Sequence, residues 1–397
     1  MVVSEIRPFR GLRYARNIEP RLAGPYDVIS DKERAVLASE PENVVHLTLP
    51  PGAEGARDYA AAASTLEGWI ASGVLQRDPE PCLYVLEEQT PWGSRRRGVL
   101  ALLRLADFEA RVVLPHEFTM PGPKQDRLLL TREVRANLEP LFFTYEDRGA
   151  DLDKYFDDAQ QGAVLASGTG PDGTGLRLFA LSDPAAIAGV QNFLASLPVI
   201  IADGHHRYET MLNFRNERRD TGDNDSDASH EFVLAYLVNA FDPGTEIRAI
   251  HRVLNGDVAA FEPILRSVGF ALESLDAELD GNAMIPLLAE RAAASHAFVF
   301  ANQREGAVLA HKPRTDQLDV EFLHEQLLPA LGGDLSFDAQ PVRLLETARS
   351  GEIALGIAMN PIAPADLFRV VQAGARLPKK STFFTPKIPS GLVIRDF

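Results

Sequence analysis

A cluster of chemically active side chains occupies residues 203–207, where the sequence reads Asp-Gly-His-His-Arg. A carboxylate can hold a metal ion or orient a nucleophile, and a histidine can transfer a proton near neutral pH. An arginine presents a planar set of N–H donors that matches a phosphate or a carboxylate. A simpler interpretation is that Asp203 caps a helix and that the histidines lie at the surface. Four such side chains within five consecutive residues, directly after an apolar run, favour a ligand site.

A buried strand and a helix are predicted on either side of this cluster. Residues 197–202 are apolar and rich in β-branched side chains, which is typical of a core strand. Residues 205–219 have helical spacing of their apolar positions. A strand that turns at Gly204 into a helix exposes backbone N–H groups to an anion. The pattern therefore predicts an anion-binding turn.

Four stretches of the chain, taken together, resemble one known family. They are Ile6–Tyr14 with Gly24–Ile29, His116-Glu117 with the downstream Lys124, Asp126 and Arg127, Ala202–Thr210, and Pro378–Lys387. They are similar to stretches of the bacterial and archaeal family called domain of unknown function 1015, and they span nearly the whole chain. The closing stretch departs from the family's Met-Pro-Pro-Lys pattern, because Leu377 and Lys379 stand in for the methionine and the second proline. That family has no settled activity to carry over.

The Gly-His-His-Arg sequence of residues 204–207 also resembles the Gly-x-x-Arg phosphate-binding turn of the ParB and sulfiredoxin superfamily. That superfamily includes nucleotide-binding partition proteins, sulfiredoxins and free-serine kinases. The resemblance implies a ParB-like phosphate site. Through the kinases it implies a small hydroxyl-bearing substrate such as serine or phosphoserine, and hence a role in serine metabolism.

Residues from four segments are predicted to meet at one cleft. Those predicted to bind the ligand or its phosphate are Asp27, Lys124, Arg127, Gly204, His205, Arg207, Lys380, Ser381 and Thr382. Those predicted to act in catalysis are His116, Glu117, Asp203 and His206, with Asp203 and Glu117 also as metal ligands. Phosphoryl transfer needs cations around the phosphates, a metal ion that bridges them, and a carboxylate or histidine that orients the nucleophile. The set supplies cations, carboxylates that could hold the metal ion, and histidines. The segment from Arg127 is also compatible with a salt-bridged surface helix.

The predicted function is nucleotide-dependent phosphotransfer on a small hydroxyl metabolite, with Mg²⁺ as cofactor and ATP or ADP as phosphate donor or acceptor. Two alternatives stay open. A metal-dependent hydrolase could draw nitrogen and oxygen ligands from His116, Asp203, His205, His206 and His251, although adjacent histidines rarely bind one ion together. A nucleotide-sensing protein would bind the same ligand without turnover. Zinc in the purified protein would favour the hydrolase, and copurified nucleotide would favour the other two.

The composition narrows the class of protein. A formal net charge of −16 argues against binding to nucleic acid, which needs a dense basic face. The first ten residues contain no apolar secretion signal, and no stretch approaches 18 apolar residues, so no membrane span is expected. The single cysteine, Cys82, suits a reducing cytoplasm. The expected partner is a phosphorylated small molecule or a nucleotide, and a homodimer is compatible with the sequence.

The predicted fold class is α/β (α+β), with a mixed-sheet core around the strand–turn–helix phosphate site. A length of 397 residues predicts two or three subdomains. The predicted boundaries give an N-terminal α/β subdomain at 1–148, a ParB-like segment at 149–256, and a C-terminal α/β subdomain at 257–397 that completes the cleft. Two local predictions concern the start of the chain. Ser30 followed by Glu33 predicts a helix that opens with a capping box, and residues 44–49 predict a strand.

Overall fold

The computed structural model describes residues 4–118 and 122–397, and its chain divides into two compact units. The first unit comprises the chain up to Glu246 together with Pro386–Phe397. The second comprises Ile247–Thr385.

The first unit is built on a nine-stranded mixed sheet. In order across the sheet, eight strands are Val113–Leu114, Val199–Asp203, Leu141–Tyr145, Phe232–Asn239, Arg95–Arg104, Leu83–Gln89, Gly175–Leu181 and Val164–Thr169. The ninth, Ile6–Arg7, pairs with Arg95–Arg104. Two neighbouring pairs are parallel and the others are antiparallel, which confirms the predicted mixed sheet.

Helices and short strands surround this sheet. The α-helices of the first unit are Asp31–Leu37, Val45–Thr48, Tyr59–Ser72, Gly122–Val134, Asp153–Gln160, Pro184–Ala195 and His205–Asp220. The short strands are Leu12–Tyr14, Leu75–Arg77, Ala136–Asn137 and Arg395–Asp396. Among the described residues, no helix combines the length and hydropathy that crossing a bilayer requires.

The strand Val199–Asp203 lies inside the sheet and explains the apolar run in the sequence. Its first three residues are fully buried, because a neighbouring strand pairs on each edge and side chains cover both faces. The helix His205–Asp220 begins two residues after the strand ends. The predicted strand, turn and helix are therefore confirmed.

The prediction of a strand at residues 44–49 is wrong. The segment forms one helical turn, Val45–Thr48, because Asn43 stabilises that conformation. Its side-chain Oδ1 accepts from the Val45 N–H at 2.9 Å, and its Nδ2 donates to the Leu22 carbonyl at 3.0 Å. The β-branched residues that suggested a strand are buried in this turn instead. The capping box predicted between Ser30 and Glu33 is confirmed.

The segment Pro386–Phe397 completes the first unit. Its strand Arg395–Asp396 pairs antiparallel with Ala136–Asn137. Its first carbonyl accepts a 2.7 Å hydrogen bond from the buried guanidinium of Arg96 in the large sheet. These contacts hold Lys387 within the first unit.

The second unit contains a six-stranded antiparallel sheet. Its strands, in order, are Ala271–Ser274, Gly306–Pro313, Ser295–Asn302, Leu355–Met359, His251–Val258 and Gly332–Asp338. Its helices are Phe261–Ser267, Gly281–Ala292, Asp319–Phe322, Leu328–Leu331, Pro341–Ser350 and Pro364–Gln372, with a π-helical turn at Leu323–Leu327. The short strands Glu246–Arg248 and Phe383–Thr385 flank this unit in sequence.

The division predicted after residue 148 differs from this grouping into two units. Strands from both sides of that position, Leu141–Tyr145 and Phe232–Asn239, are neighbours in one sheet. The hairpin around residues 168–175 adds two further strands to that sheet. The chain on both sides of residue 148 therefore shares one core.

Candidate functional site

A left-handed glycine forms the turn at the centre of the predicted site. Gly204 has φ 95° and ψ 29°, a left-handed conformation that is energetically unfavourable for any residue with a Cβ atom. A Cβ atom at this position would also lie 3.0 Å from Nη2 of Arg207. Gly204 is the N-cap residue of the helix that follows, His205–Asp220, and has no side chain with which to cap it. Both the backbone angle and the close contact therefore favour glycine here.

Asp203 is an ionised carboxylate between two cations. Its Oδ2 accepts from Nη2 of Arg207 at 2.9 Å, and its Oδ1 pairs with the ammonium group of Lys387. Burial alone would favour the neutral acid, but the charges of Lys387 and Arg207 outweigh it and lower the pKa of Asp203 to about 2. Asp203 therefore carries its negative charge throughout the physiological pH range.

Arg207 is held inside this network. Besides Asp203, its guanidinium donates to the carbonyl of Pro140 at 3.2 Å and lies 3.8 Å from Oε2 of Glu139. Burial opposes its charge, but the carboxylates of Glu139 and Asp203 outweigh burial and raise the pKa of Arg207. The side chain is only 11% exposed. In this structure it orients Asp203, and its predicted contact with a ligand phosphate stays a prediction.

Two of the histidines and the glutamate that were predicted as site residues lie together beside the turn. The rings of His116 and His205 are 4.6 Å apart and meet edge to face. His116 bonds through Nδ1 to the carbonyl of Ile201 at 2.7 Å, and its backbone N–H donates to Nε2 of His205 at 3.4 Å. Nδ1 of His205 lies 3.9 Å from a carboxylate oxygen of Glu117. Burial lowers the pKa of His116, so its imidazole is neutral near pH 7.

His206 has a different environment from its neighbour. His205 is buried, whereas His206 is half-buried. Burial lowers the pKa of His206, and the charge of Lys124, which pairs with Glu209, lowers it further. The carboxylate of Asp27 acts in the opposite direction on the same imidazole, so Asp27 lies within electrostatic range of it. His206 is therefore a neutral imidazole with access to solvent at pH 7.

Arg127 belongs to a neighbouring buried network. Its Nε donates to Asp126 at 3.0 Å, and its Nη1 donates to the carbonyl of Thr48 at 2.7 Å. Asp126 also accepts from the hydroxyl of Tyr59 at 2.7 Å. These contacts attach the helix Gly122–Val134 to the start of the chain.

A small cavity lies between this network and Arg207. Its volume is about 50 Å³, and Arg127, Glu139 and Arg207 contribute polar groups to its wall. That volume suits a few water molecules rather than a nucleotide. A nucleotide at this site would therefore bind outside the cavity, at the helix N-terminus.

The predicted residues Lys380, Ser381 and Thr382 belong to the second unit. The backbone carbonyl of Lys380 accepts from Nη1 of Arg252 at 2.9 Å, and the hydroxyl of Ser381 donates to the carbonyl of Pro378 at 2.5 Å. Their participation in the Asp203 site stays a prediction. The first unit brings the other predicted residues to one region around the turn.

The residues predicted as metal ligands lie in different parts of the chain. Within residues 4–118 and 122–397, no three His, Cys, Asp or Glu side chains are grouped as ligands for one ion. A zinc hydrolase typically uses three protein ligands, and His251, one of the proposed ligands, lies in the second unit. Mg²⁺ commonly uses one or two carboxylates together with water and substrate phosphates. The role of Asp203 and Glu117 as magnesium ligands stays a prediction.

Two residues that the sequence did not single out contribute to the site. Lys387 pairs with Asp203, and Glu139 holds Arg207 while accepting from the Ser390 hydroxyl at 2.8 Å. Lys387 ends the closing stretch that carried the family resemblance, so a signal for it was present. Nothing in the local sequence around Glu139 distinguishes it from a surface carboxylate.

Comparison with known proteins gives a family and some remote structural likenesses. The sequence model of the family described as "Protein of unknown function (DUF1015)" matches residues 6–326. Among curated proteins, none matches the chain.

Three solved structures illustrate the structural likeness. A conserved hypothetical protein from Pyrococcus furiosus is 14% identical with TM-score 0.36, covering 74% of this chain and 93% of its own. A mutant free serine kinase in complex with ADP is 13% identical with TM-score 0.37, covering 74% and 92%. SbnI with C-terminal truncation from Staphylococcus aureus is 10% identical with TM-score 0.38, covering 73% and 85%. Likeness at this level carries no inference about activity.

Proposed function

The chain belongs to the DUF1015 family of proteins of unknown function, and from the geometry of its site we propose that it transfers a phosphoryl group between a nucleotide and the hydroxyl of a small serine-like metabolite. One observation supports this above the others. An ionised carboxylate, Asp203, stands between two cations at a left-handed glycine turn, and that glycine is the N-cap residue of the following helix. Such a site offers donors for phosphate and a charge that can position a nucleophile.

The phosphate group would bind at the N-terminus of the helix His205–Asp220. The first backbone N–H groups of a helix have no intrahelical acceptor, and the N-cap residue of this helix, Gly204, has no side chain that could cap them. The helix dipole adds positive potential at the same end. Lys387 adds an ammonium group next to the turn, where it already contacts Asp203.

The proton of the attacking hydroxyl would pass to His206. Because burial lowers its pKa, the imidazole is neutral and can accept a proton at pH 7. The hydroxyl oxygen then forms its bond to phosphorus while the bond from phosphorus to the leaving nucleotide oxygen breaks. Asp203 remains ionised and is too weak a base for this step, so its role is to orient groups by charge.

Magnesium would be held by Asp203 and Glu117 together with the phosphates. When bound, the ion neutralises charge on the transferring phosphoryl group. The residues of this chain act around it: Lys387 and Arg207 keep Asp203 ionised and in place. They do so before any ligand binds.

The test separates transfer from binding. We expect Asp203→Asn to change nucleotide affinity by less than roughly threefold while it slows turnover by roughly 100-fold or more, because the charge matters most in the transition state. Binding would be measured calorimetrically with ATP, ADP and AMP. Turnover would be measured as nucleotide consumption with serine, phosphoserine and related metabolites, with and without magnesium. Asp158→Asn, at an exposed helical position, is the matched control.

Two results would reject the proposed transfer. If the wild-type protein binds a nucleotide and never consumes it, the nucleotide-sensing alternative stands. If Asp203→Asn turns over at the wild-type rate, the carboxylate serves only to brace the turn.

A further inference from the structure

A second cavity lies in the second unit, in a region that the proposed function does not use. Its volume is about 220 Å³, and it lies near the end of the helix Gly281–Ala292 and the start of the helix Pro364–Gln372. This space is several times larger than one water molecule needs, and smaller than the pockets of drug-sized ligands. It suits a small metabolite.

Asn360 brings a buried amide donor to the wall of this cavity. The residue is 8% exposed, and its side-chain Nδ2 has no acceptor at good hydrogen-bond geometry within the described structure, although it lies close enough to the Asp319 carboxylate to favour the ionised form of that group. Buried polar groups in native proteins nearly always have a partner. A ligand that brings an acceptor to this position would supply the missing bond.

Asp319 brings a carboxylate to the same wall. It is 6% exposed, and its Oδ1 bonds to Nδ1 of His296 at 2.9 Å. Nε2 of His296 lies 2.8 Å from the hydroxyl of Thr315 and 3.1 Å from the backbone nitrogen of the same residue. Both ring nitrogens of His296 therefore have partners, and the histidine orients Asp319. Burial raises the pKa of Asp319, which means that a cationic partner in the cavity would stabilise its ionised form.

The remaining charges lie at the rim of the cavity. Arg314 donates to the carbonyl of Ala292 at 2.6 Å, and its Nη2 lies 4.0 Å from a carboxylate oxygen of Asp366. Two carboxylates and one guanidinium therefore line the cavity, which favours an ammonium group over a lone anion. The rest of the wall is mainly aliphatic and includes Met359 and Ile362.

We propose that this cavity binds a free α-amino acid. The ammonium group would contact Asp319, and the carboxylate would accept from Nδ2 of Asn360 and from Arg314. The aliphatic wall would hold the side chain. Each polar group of the cavity then has a complementary partner, which neither a simple amine nor a simple carboxylate would provide. The proposal is independent of phosphotransfer at Asp203.

The experiment titrates the full-length protein with each proteinogenic L-amino acid by calorimetry. For the tightest binder we would then test the carboxylic acid that lacks the amine and the amine that lacks the carboxylate. We expect saturable binding of at least one amino acid, and at least tenfold weaker binding of both analogues. Asn360→Leu removes the amide donor and should weaken binding at least tenfold, whereas Asn282→Leu, at an exposed helical position, should not change it.

A second variant keeps the test decisive if Asn360→Leu does not fold. Ala292→Leu fills part of the cavity, leaves the carbonyl that accepts from Arg314 in place, and should also abolish binding. No saturable binding of any amino acid would overturn the proposal. Binding that survives Ala292→Leu in a folded protein, or that is lost only in Asp203→Asn, would overturn it too, because the ligand would then occupy another site.

Discussion

The ion pair between Lys387 and Asp203 allows a quantitative prediction. Replacing the lysine in Lys387→Met removes the ammonium group and keeps most of the side-chain length. Asp203 would then stay buried, which favours the neutral acid. It would lose the charge of Lys387, which lowers its pKa more than the charge of Arg207 does. We expect the pKa of Asp203 to rise to or above its ordinary value of 3.8.

The size of the effect follows from linkage between protonation and folding. A pKa lowered from 3.8 to about 2, at 1.36 kcal/mol per unit, corresponds to roughly 2 kcal/mol of stability for the ionised form. This stabilisation is fully present above pH 3.8 and is lost as pH falls through about 2. At pH 7, Lys387→Met should therefore lower the free energy of unfolding by roughly 2 kcal/mol. The difference in the free energy of unfolding between the variant and the wild type should shrink as pH falls below 4.

Tryptophan fluorescence reports the unit that matters for this measurement. Both tryptophans of the chain, Trp69 and Trp92, lie in the first unit, so urea unfolding followed by fluorescence reports its stability. The carboxyl ¹³C shift of Asp203 gives its pKa directly. Lys379→Met, at an exposed lysine of the same closing stretch, is the control and should leave both quantities unchanged. A loss below roughly 0.5 kcal/mol, within the range of an exposed pair, together with an unchanged pKa of Asp203, would refute the reasoning.

Two further predictions concern the turn and the second unit. Gly204→Ala should lower the free energy of unfolding of the first unit by roughly 1–2 kcal/mol for the left-handed backbone, plus the cost of the contact with Arg207. The control is Gly222→Ala, because Gly222 has a similar φ of 92° and no atom lies within 4 Å of the added Cβ. In fluorescence-monitored unfolding, the amount by which Gly204→Ala loses more stability than Gly222→Ala measures the contact with Arg207. Equal losses in the two variants would contradict that contact. Burial lowers the pKa of His251 from 6.5 to about 4, so the unfolded chain takes up the proton first and the second unit should lose up to roughly 3 kcal/mol as pH falls from 6.5 to 4. Calorimetric unfolding should show this loss in the wild type and a weaker pH dependence in His251→Gln, and identical pH dependence in the two proteins would reject the assignment.

The central strand and helix were predictable because their signals are local. The apolar run at residues 197–202, the glycine and the helical spacing that follows all lie within about two dozen residues. The wrong prediction at residues 44–49 has the opposite cause. Short β-branched runs occur in strands and in buried helical turns alike, and the bonds that Asn43 makes with Val45 and Leu22 decided between the two.

The composition of the site could be predicted only in part. The residues within 203–207 can be recognised as site candidates from their types alone, yet the partners that determine their charge come from elsewhere in the chain. Lys387 is 184 positions from Asp203, and Glu139 is far from Arg207 in sequence. A single sequence does not show which lysine pairs with which carboxylate, because the pairing depends on the sheet and on the returning segment. The roles of Lys380, Ser381 and Thr382 at the site stay predictions.

The return of the segment Pro386–Phe397 to the first unit has a consequence for synthesis of the protein. A ribosome must translate the whole of Ile247–Thr385 before the segment can pair with Ala136–Asn137. During that interval the nascent chain holds Asp203 and Arg207 without the ammonium group of Lys387. The second unit has its own sheet and can fold meanwhile. The ion pair beside the turn at Gly204 is therefore formed late. A chain whose translation stops within the second unit lacks Lys387 and cannot form that pair.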